Sequence, residues 1–188
     1  MLTLEASAPD ASYSDKMEQF GRFVGQWDLV VTWYTADGTV ERQELGEWEF
    51  AYALEGRAVI DVWIVPPRAE RPAGLENRSG EYGMSVRFYD PQIEAWRSTW
   101  HGPVNRVVLP FIARQVGDEL VLERTEGVET TRWVFTEIAA SSFRWMNMIS
   151  LDDHRSWTLR QEMRAVRRLE AEADGSRGSK PPTAKHEQ

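Results

Sequence analysis

Four polar residues stand among aromatic ones where strand alternation places a single face: Asp61, Ser98, Asn147 and Gln161. A fully packed core has little use for them, because a buried polar group without a partner costs about 1–3 kcal/mol. A cavity has a direct use: apolar walls supply affinity and a few polar groups fix the orientation of what is held. Trp48, Phe50, Tyr52, Trp63, Trp96, Trp100 and Trp145 would supply walls of that kind, with Asp61, Ser98 and Asn147 as anchors. The alternative is that Asp61, Asn147 and Gln161 bond to one another or to buried water, with nothing else involved.

For proton transfer, Asp61 is the first candidate, since apolar neighbours would desolvate its carboxyl and raise its pKa. His101 is the second, placed at a strand end before Gly102-Pro103, where a proton shuttle, a haem ligand and a residue that merely caps a loop are all consistent readings. His154 falls in a turn and His186 in the charged end of the chain, which suits solvated side chains. No two histidines have metal-ligand spacing, so a zinc site is not expected. Arg87, Arg97, Arg114 and Arg144 lie mid-strand, and any that faced inward would hold a carboxylate or pair with Asp61. Glu47 and Glu49 form an intrastrand carboxylate pair on a face that reads as solvent-exposed. There is no phosphate-cradling glycine loop and no Gly-x-Ser-x-Gly elbow, and no motif implies a cofactor.

The elements that must position these residues are strands. Alternation and turn signals predict ten of them, roughly 26–36, 40–54, 57–65, 82–89, 94–101, 107–116, 119–126, 129–137, 142–151 and 155–166. Asp37-Gly38, Glu55-Gly56, Asp90-Pro91, Gly117-Asp118, Glu126-Gly127 and Asp152-Asp153 punctuate them. Connections this short leave no room for crossover helices, so neighbours are antiparallel. The expected fold is therefore all-β: an up-and-down barrel, closed so that no edge is bare. Ahead of it, Met17, Phe20, Phe23 and Val24 fall at helical spacing after Ser12-x-x-Asp15, which resembles a capping box. This short helix would plug one end of the barrel, with Trp27 packed beneath it.

In domain terms, residues 1–11 are read as a flexible start, 12–166 as the barrel and 167–188 as a charged, disordered tail. Pro66 to Glu81, with three prolines and two glycines, suits a flap beside an opening. The chain has 188 residues, nine of them Trp, no Cys, and a net charge of −8. Cysteine chemistry is thereby excluded, and the absence of a dense basic stripe argues against nucleic acid. No secretory signal or membrane span is legible, so a cytoplasmic protein is expected.

Gly25-x-Trp27 after a short helix is similar to the opening of the calycins, the lipocalin and fatty-acid-binding-protein group. Together with Leu54-Glu55-Gly56-Arg57, the Tyr89-Asp90-Pro91 to Trp96 hairpin and the Ser150-Leu151-Asp152-Asp153 to Trp157 hairpin, it resembles the bacterial DUF1579-type barrels over residues 20–166. The resemblance implies a ten-stranded barrel around a cavity for a small hydrophobic ligand, and no particular reaction. Nitrobindin-like haem barrels are neighbours in the group, but their Gly-x-Trp-x-Gly-x-Gly opening is absent, since Asp28, Leu29 and Val30 follow Trp27. Three readings follow: a container for a small apolar or aromatic metabolite, a cofactor-independent isomerase, cyclase or decarboxylase using Asp61 or His101, and a haem barrel. Exposed aromatic surface on one sheet face would support a homodimer.

Overall fold

The computed structural model describes residues 4–71 and 81–168. Helix α1 spans Ser14–Gly21, and eleven strands surround it in sequence: β1 (Glu5–Ala6), β2 (Gly25–Tyr34), β3 (Val40–Ala53), β4 (Ala58–Val65), β5 (Glu81–Asp90), β6 (Ala95–Gly102), β7 (Val107–Val116), β8 (Glu119–Glu126), β9 (Glu129–Thr136), β10 (Ser142–Ser150) and β11 (Thr158–Arg167). Strands β2 to β11 each pair antiparallel with the next; β11 returns to β2, closing a ten-stranded up-and-down barrel. Closure leaves no unpaired edge, and alternation sends every second side chain inward.

Three features depart from the sequence reading. The additional strand β1 pairs Glu5 and Ala6 with Ala53 and Tyr52 at the end of β3. Two residues carry no readable period. Helix α1 has no capping box: Tyr13 stands at its N-cap without a side-chain bond, and the Asp10 carboxylate instead accepts from the Ser12 backbone N–H at 2.8 Å in the 3-10 turn Ala11–Tyr13 that precedes it. Finally, the β10–β11 register slips between Asn147 and Met148, so that Gln161 faces Asn147 but Leu159 faces Met148. The extra residue, Arg160, sends Trp157 to the outside of the barrel, where Arg132 lies over its ring at 4.0 Å.

One end of the barrel is filled. Met17, Phe20 and Phe23 are buried there with Trp27, Phe50, Trp96, Phe135 and Phe143. Phe23 lies 4.8 Å from Phe135 and 4.9 Å from Phe143, ring centre to ring centre. The Trp27 indole donates to the Phe23 carbonyl at 2.7 Å, tying the first barrel strand to the plug.

Arg167 locks the same corner. The sequence pattern assigns it to the tail, yet it is the last residue of β11. Its guanidinium donates to the carbonyls of Val24, Arg22 and Ala140 and covers the Trp27 ring at 4.1 Å. The tail from residue 169 onward lies outside the described residues.

The hairpin motifs have structural explanations. Leu54, Glu55 and Gly56 are all left-handed, and a Cβ on Gly56 would come within 2.3 Å of the Ala8 carbonyl oxygen. Asp152 accepts from Ser150, from the Ser156 hydroxyl and from the Ser156 backbone N–H, holding the β10–β11 turn. Those bonds keep the Asp152 carboxyl below its ordinary range.

Candidate functional site

Above the plug the barrel is hollow. A cavity of ≈ 260 Å³ lies between the walls, lined by Trp48, Trp63, Trp100, Trp133 and Trp145 with Leu109, Met163 and a polar set. The five indoles form a belt. Trp63 to Trp100 is 5.9 Å, Trp100 to Trp133 6.4 Å, Trp133 to Trp145 5.4 Å and Trp145 to Trp48 6.2 Å, while Trp48 and Trp63 are register partners on β3 and β4. Gly83 makes room for this arrangement, since a Cβ there would come within 2.4 Å of the Trp100 ring.

The floor of the cavity is charged. Asp61 on β4 and Arg87 on β5, each 1% exposed, form an ion pair inside the barrel. The second carboxylate oxygen of Asp61 accepts from the Trp48 indole N–H at 2.8 Å. The Arg87 guanidinium lies 5.0 Å from the Phe20 ring centre and 5.7 Å from that of Phe50. It therefore separates the aromatic plug from the open half. Arg87 lines the cavity and Asp61 stands behind it.

The expected wall and anchor residues divide by height. Trp48, Trp63, Trp100, Trp145 and Asn147 line the cavity. Phe50, Tyr52, Trp96 and Ser98 also face inward, but toward the plug. Phe50 packs on Phe23 at 5.6 Å, Trp96 on Phe20 at 4.9 Å with its N–H donated to Gln19, and the Tyr52 hydroxyl lies against Gly21. Ser98 is buried with its hydroxyl unpartnered, outside the cavity lining.

His101 is exposed on the outer face, in an open groove with Tyr82, Met84 and Val108, and does not meet Asp61. That groove, at ≈ 510 Å³, is larger than the cavity but is bounded by strand exteriors. Trp133, Gln161, Ser85, Glu81, Asn105 and Val107 complete the lining. Of these, the sequence reading had named only Gln161. Glu47 and Glu49 face out and pair with Arg68 at 2.7 and 3.8 Å.

Glu81 and Asn105 stand at the mouth, where the β4–β5 and β6–β7 connections meet, and bond at 2.7 Å. Of the expected flap, residues 72–80 lie outside the described residues, and its base at Glu81 borders the opening. Burial pushes the Glu81 carboxyl above its ordinary 4.5, opposed in part by the Asn105 bond and the charge of Arg42. The native protein then holds this proton more tightly than the unfolded chain. Stability from this group is present below the ordinary Glu value and declines as pH rises through the raised one. Glu81→Gln should flatten that decline in melting temperature measured against pH. An unaltered slope would show that Glu81 does not cause it.

Among the described residues, no group of three or more His, Asp and Glu could hold a metal, and no helix is long and apolar enough to cross a membrane. No histidine lines the cavity, so these residues do not fit the haem reading.

Comparison by sequence finds no matching family model and no matching curated protein. Comparison by structure finds the S-type phycobiliprotein lyase CPES from Guillardia theta, at TM-score 0.53 and 12% identity, over 82% of this chain and 93% of that one. The fold is a calycin-like barrel. A DUF3598-family protein of unknown function from Nostoc punctiforme aligns over 81% of this chain and 98% of that one with 8% identity, but its TM-score of 0.24 adds nothing to the fold assignment.

Proposed function

We propose that this protein binds a small, largely apolar or aromatic metabolite inside the barrel. The observation that supports the reading is the belt of five indoles around a ≈ 260 Å³ space whose lining also carries Arg87, Asn147 and Gln161. A cavity of about 150 Å³ lined by apolar side chains accommodates benzene. The larger space here suits a compound of two fused rings.

The resemblance in motif order to DUF1579-type barrels is consistent with this reading but finds no matching family model, and the likeness to a phycobiliprotein lyase supports it at the level of the fold. The enzymatic alternative rests on Asp61 and His101, and gains no support from one residue held behind an arginine and another outside the barrel.

Titration with an uncharged solvatochromic naphthalene dye tests the reading. The tryptophan emission should shift saturably, and a two-ring competitor should displace the dye. A spectrum that stays unchanged, with no displaceable dye, would overturn it.

A further inference from the structure

The two ends of the cavity differ in charge. At the floor, the Arg87 guanidinium is neutralised by Asp61. At the mouth, Glu81 lines the space as a carboxylate without a counter-ion. Asn105 donates to one of its oxygens at 2.7 Å, and among the described residues Glu81 forms no ion pair. Its other oxygen has no protein partner and is not sealed from solvent, since the side chain is only half-buried. The cation that bears on it is Arg42 of β3, whose charge is engaged by Glu44 at 3.0 Å.

The rim around this carboxylate is acidic as well. Arg124 pairs with Glu126 at the end of β8, and Glu129 of β9 stands opposite Glu126 in register, with a bond from the Thr131 hydroxyl at 3.4 Å. Inward positions at the open ends of β3, β5, β8 and β9 thus set Arg42 and Arg124 against Glu44, Glu81, Glu126 and Glu129. A mouth lined by one excess sign of charge concentrates ligands of the other.

The indole belt begins one inward position below Glu81. That position is Gly83, and the Trp100 ring fills the place its side chain would take. Trp63, the register partner of Gly83, lies 5.9 Å from Trp100. An ammonium seated at Glu81 would therefore lie beside indole π systems, which attract cations. A neutral ligand would close the mouth over a carboxylate with neither water nor counter-ion, and an anion would add a second negative charge to it. A cation cancels the charge.

We propose that the cavity takes an aromatic organic cation, its ring body among the indoles and its ammonium group paired with the Glu81 carboxylate at the mouth. This rests on the binding function proposed above and names the ligand class for that same site.

The upward push of burial on the Glu81 carboxyl agrees with a site that lacks its counter-ion. A bound cation favours the ionised form, so binding should expel the proton wherever the empty protein holds it. Affinity for a cation should then fall as pH drops through the raised Glu81 value, while a neutral analogue shows no such fall. Around Glu81, Arg42 stays charged, Asn105 and Val65 do not titrate, and His101 faces the outer surface. The rim carboxylates of Glu44, Glu126 and Glu129 also take up protons, so a variant of Glu81 is needed to assign the fall.

The test is calorimetry with 1-naphthylmethylammonium, its neutral isostere 1-naphthylmethanol, and 1-naphthoate. Above the raised Glu81 value the ammonium should bind about tenfold or more tighter than the alcohol, because it hydrogen-bonds to a charged group. Titrations in two buffers of different ionisation enthalpy should show proton release with the ammonium alone. Glu81→Gln should bring the ammonium-to-alcohol ratio close to one and abolish the release. Glu123→Gln, on the outer face beside Arg132, should leave both as in the wild type. If Glu81→Gln does not fold, the carboxyl carbon resonance of Glu81 in the wild type decides: near its mid-point it should move to the ionised position when the ammonium is added.

Equal affinities for ammonium and alcohol, a preference that survives Glu81→Gln, or an unmoved resonance would overturn the cation assignment and leave cavity binding standing. Tightest binding by the carboxylate would overturn it in favour of an anion site. Binding by none of the three, together with no displaceable dye, would remove the binding function itself.

Discussion

Arg87→Met should destabilise the barrel by about 3–5 kcal/mol, the cost typical of breaking a buried ion pair from one side. Both partners are 1% exposed, so the carboxylate of Asp61 would be left with neither water nor a counter-charge. The Trp48 indole would remain its one hydrogen-bond donor. Pairing the change with Asp61→Asn should restore most of the loss. The carboxamide oxygen can still accept from Trp48, and no charge remains buried. Asp61→Asn alone should be costly for the converse reason, because Arg87 would then be the unpaired ion. Urea unfolding of the three variants separates these cases, and an Arg87→Met protein within about 1 kcal/mol of wild type would show that the pair does not hold the floor of the cavity.

This ion pair marks the limit of what the sequence could reveal about the site. Asp61 is conspicuous, since it interrupts an apolar strand. Arg87 is conspicuous only if its strand's face is known, and four mid-strand arginines compete for the role. Arg97 pairs with Asp90 at 2.7 Å and Arg144 with Glu162 at 2.5 Å, both on the outer face. The pairing depends on register between strands: Val59 faces Arg87 and Asp61 faces Ser85, which places the two charged side chains on a diagonal. Neither strand's own sequence contains that information.

The barrel was legible because period-two alternation is local. The seventh predicted element, 119–126, matches β8, and odd and even positions of β6 separate His101 from Trp96 and Trp100. Alternation separates inside from outside but says nothing of height along the barrel axis. Phe50, Tyr52 and Trp96 were correctly inward and nevertheless belong to the plug, because α1 occupies their level. The bulge at Arg160 was illegible for a related reason. One extra residue reverses the faces before it, and no composition signal marks Trp157 as the side chain sent outward.

The division between plug and cavity predicts a division between stability and binding. Phe23→Ala should cost about 3–5 kcal/mol, as a large-to-small change does where surroundings cannot collapse. The Phe23 ring meets Phe20, Phe50, Phe135 and Phe143, whose positions are set by three different strands and the helix. Helix α1 has only eight residues, too few to persist without packing, so losing this contact should also loosen its attachment.

Trp133→Phe presents the opposite case. Its ring borders a space that is already open, and the substitution conserves most of the contact with Phe111 at 4.1 Å. It also removes an indole N–H that has no protein partner, so stability should change by less than about 1.5 kcal/mol. Thermal unfolding of the two variants beside dye binding provides the comparison. If Trp133→Phe were as destabilising as Phe23→Ala, the belt would be ordinary core. A large stability loss at Phe23 with a binding loss at Trp133 would separate the residues that build the container from those that hold its contents.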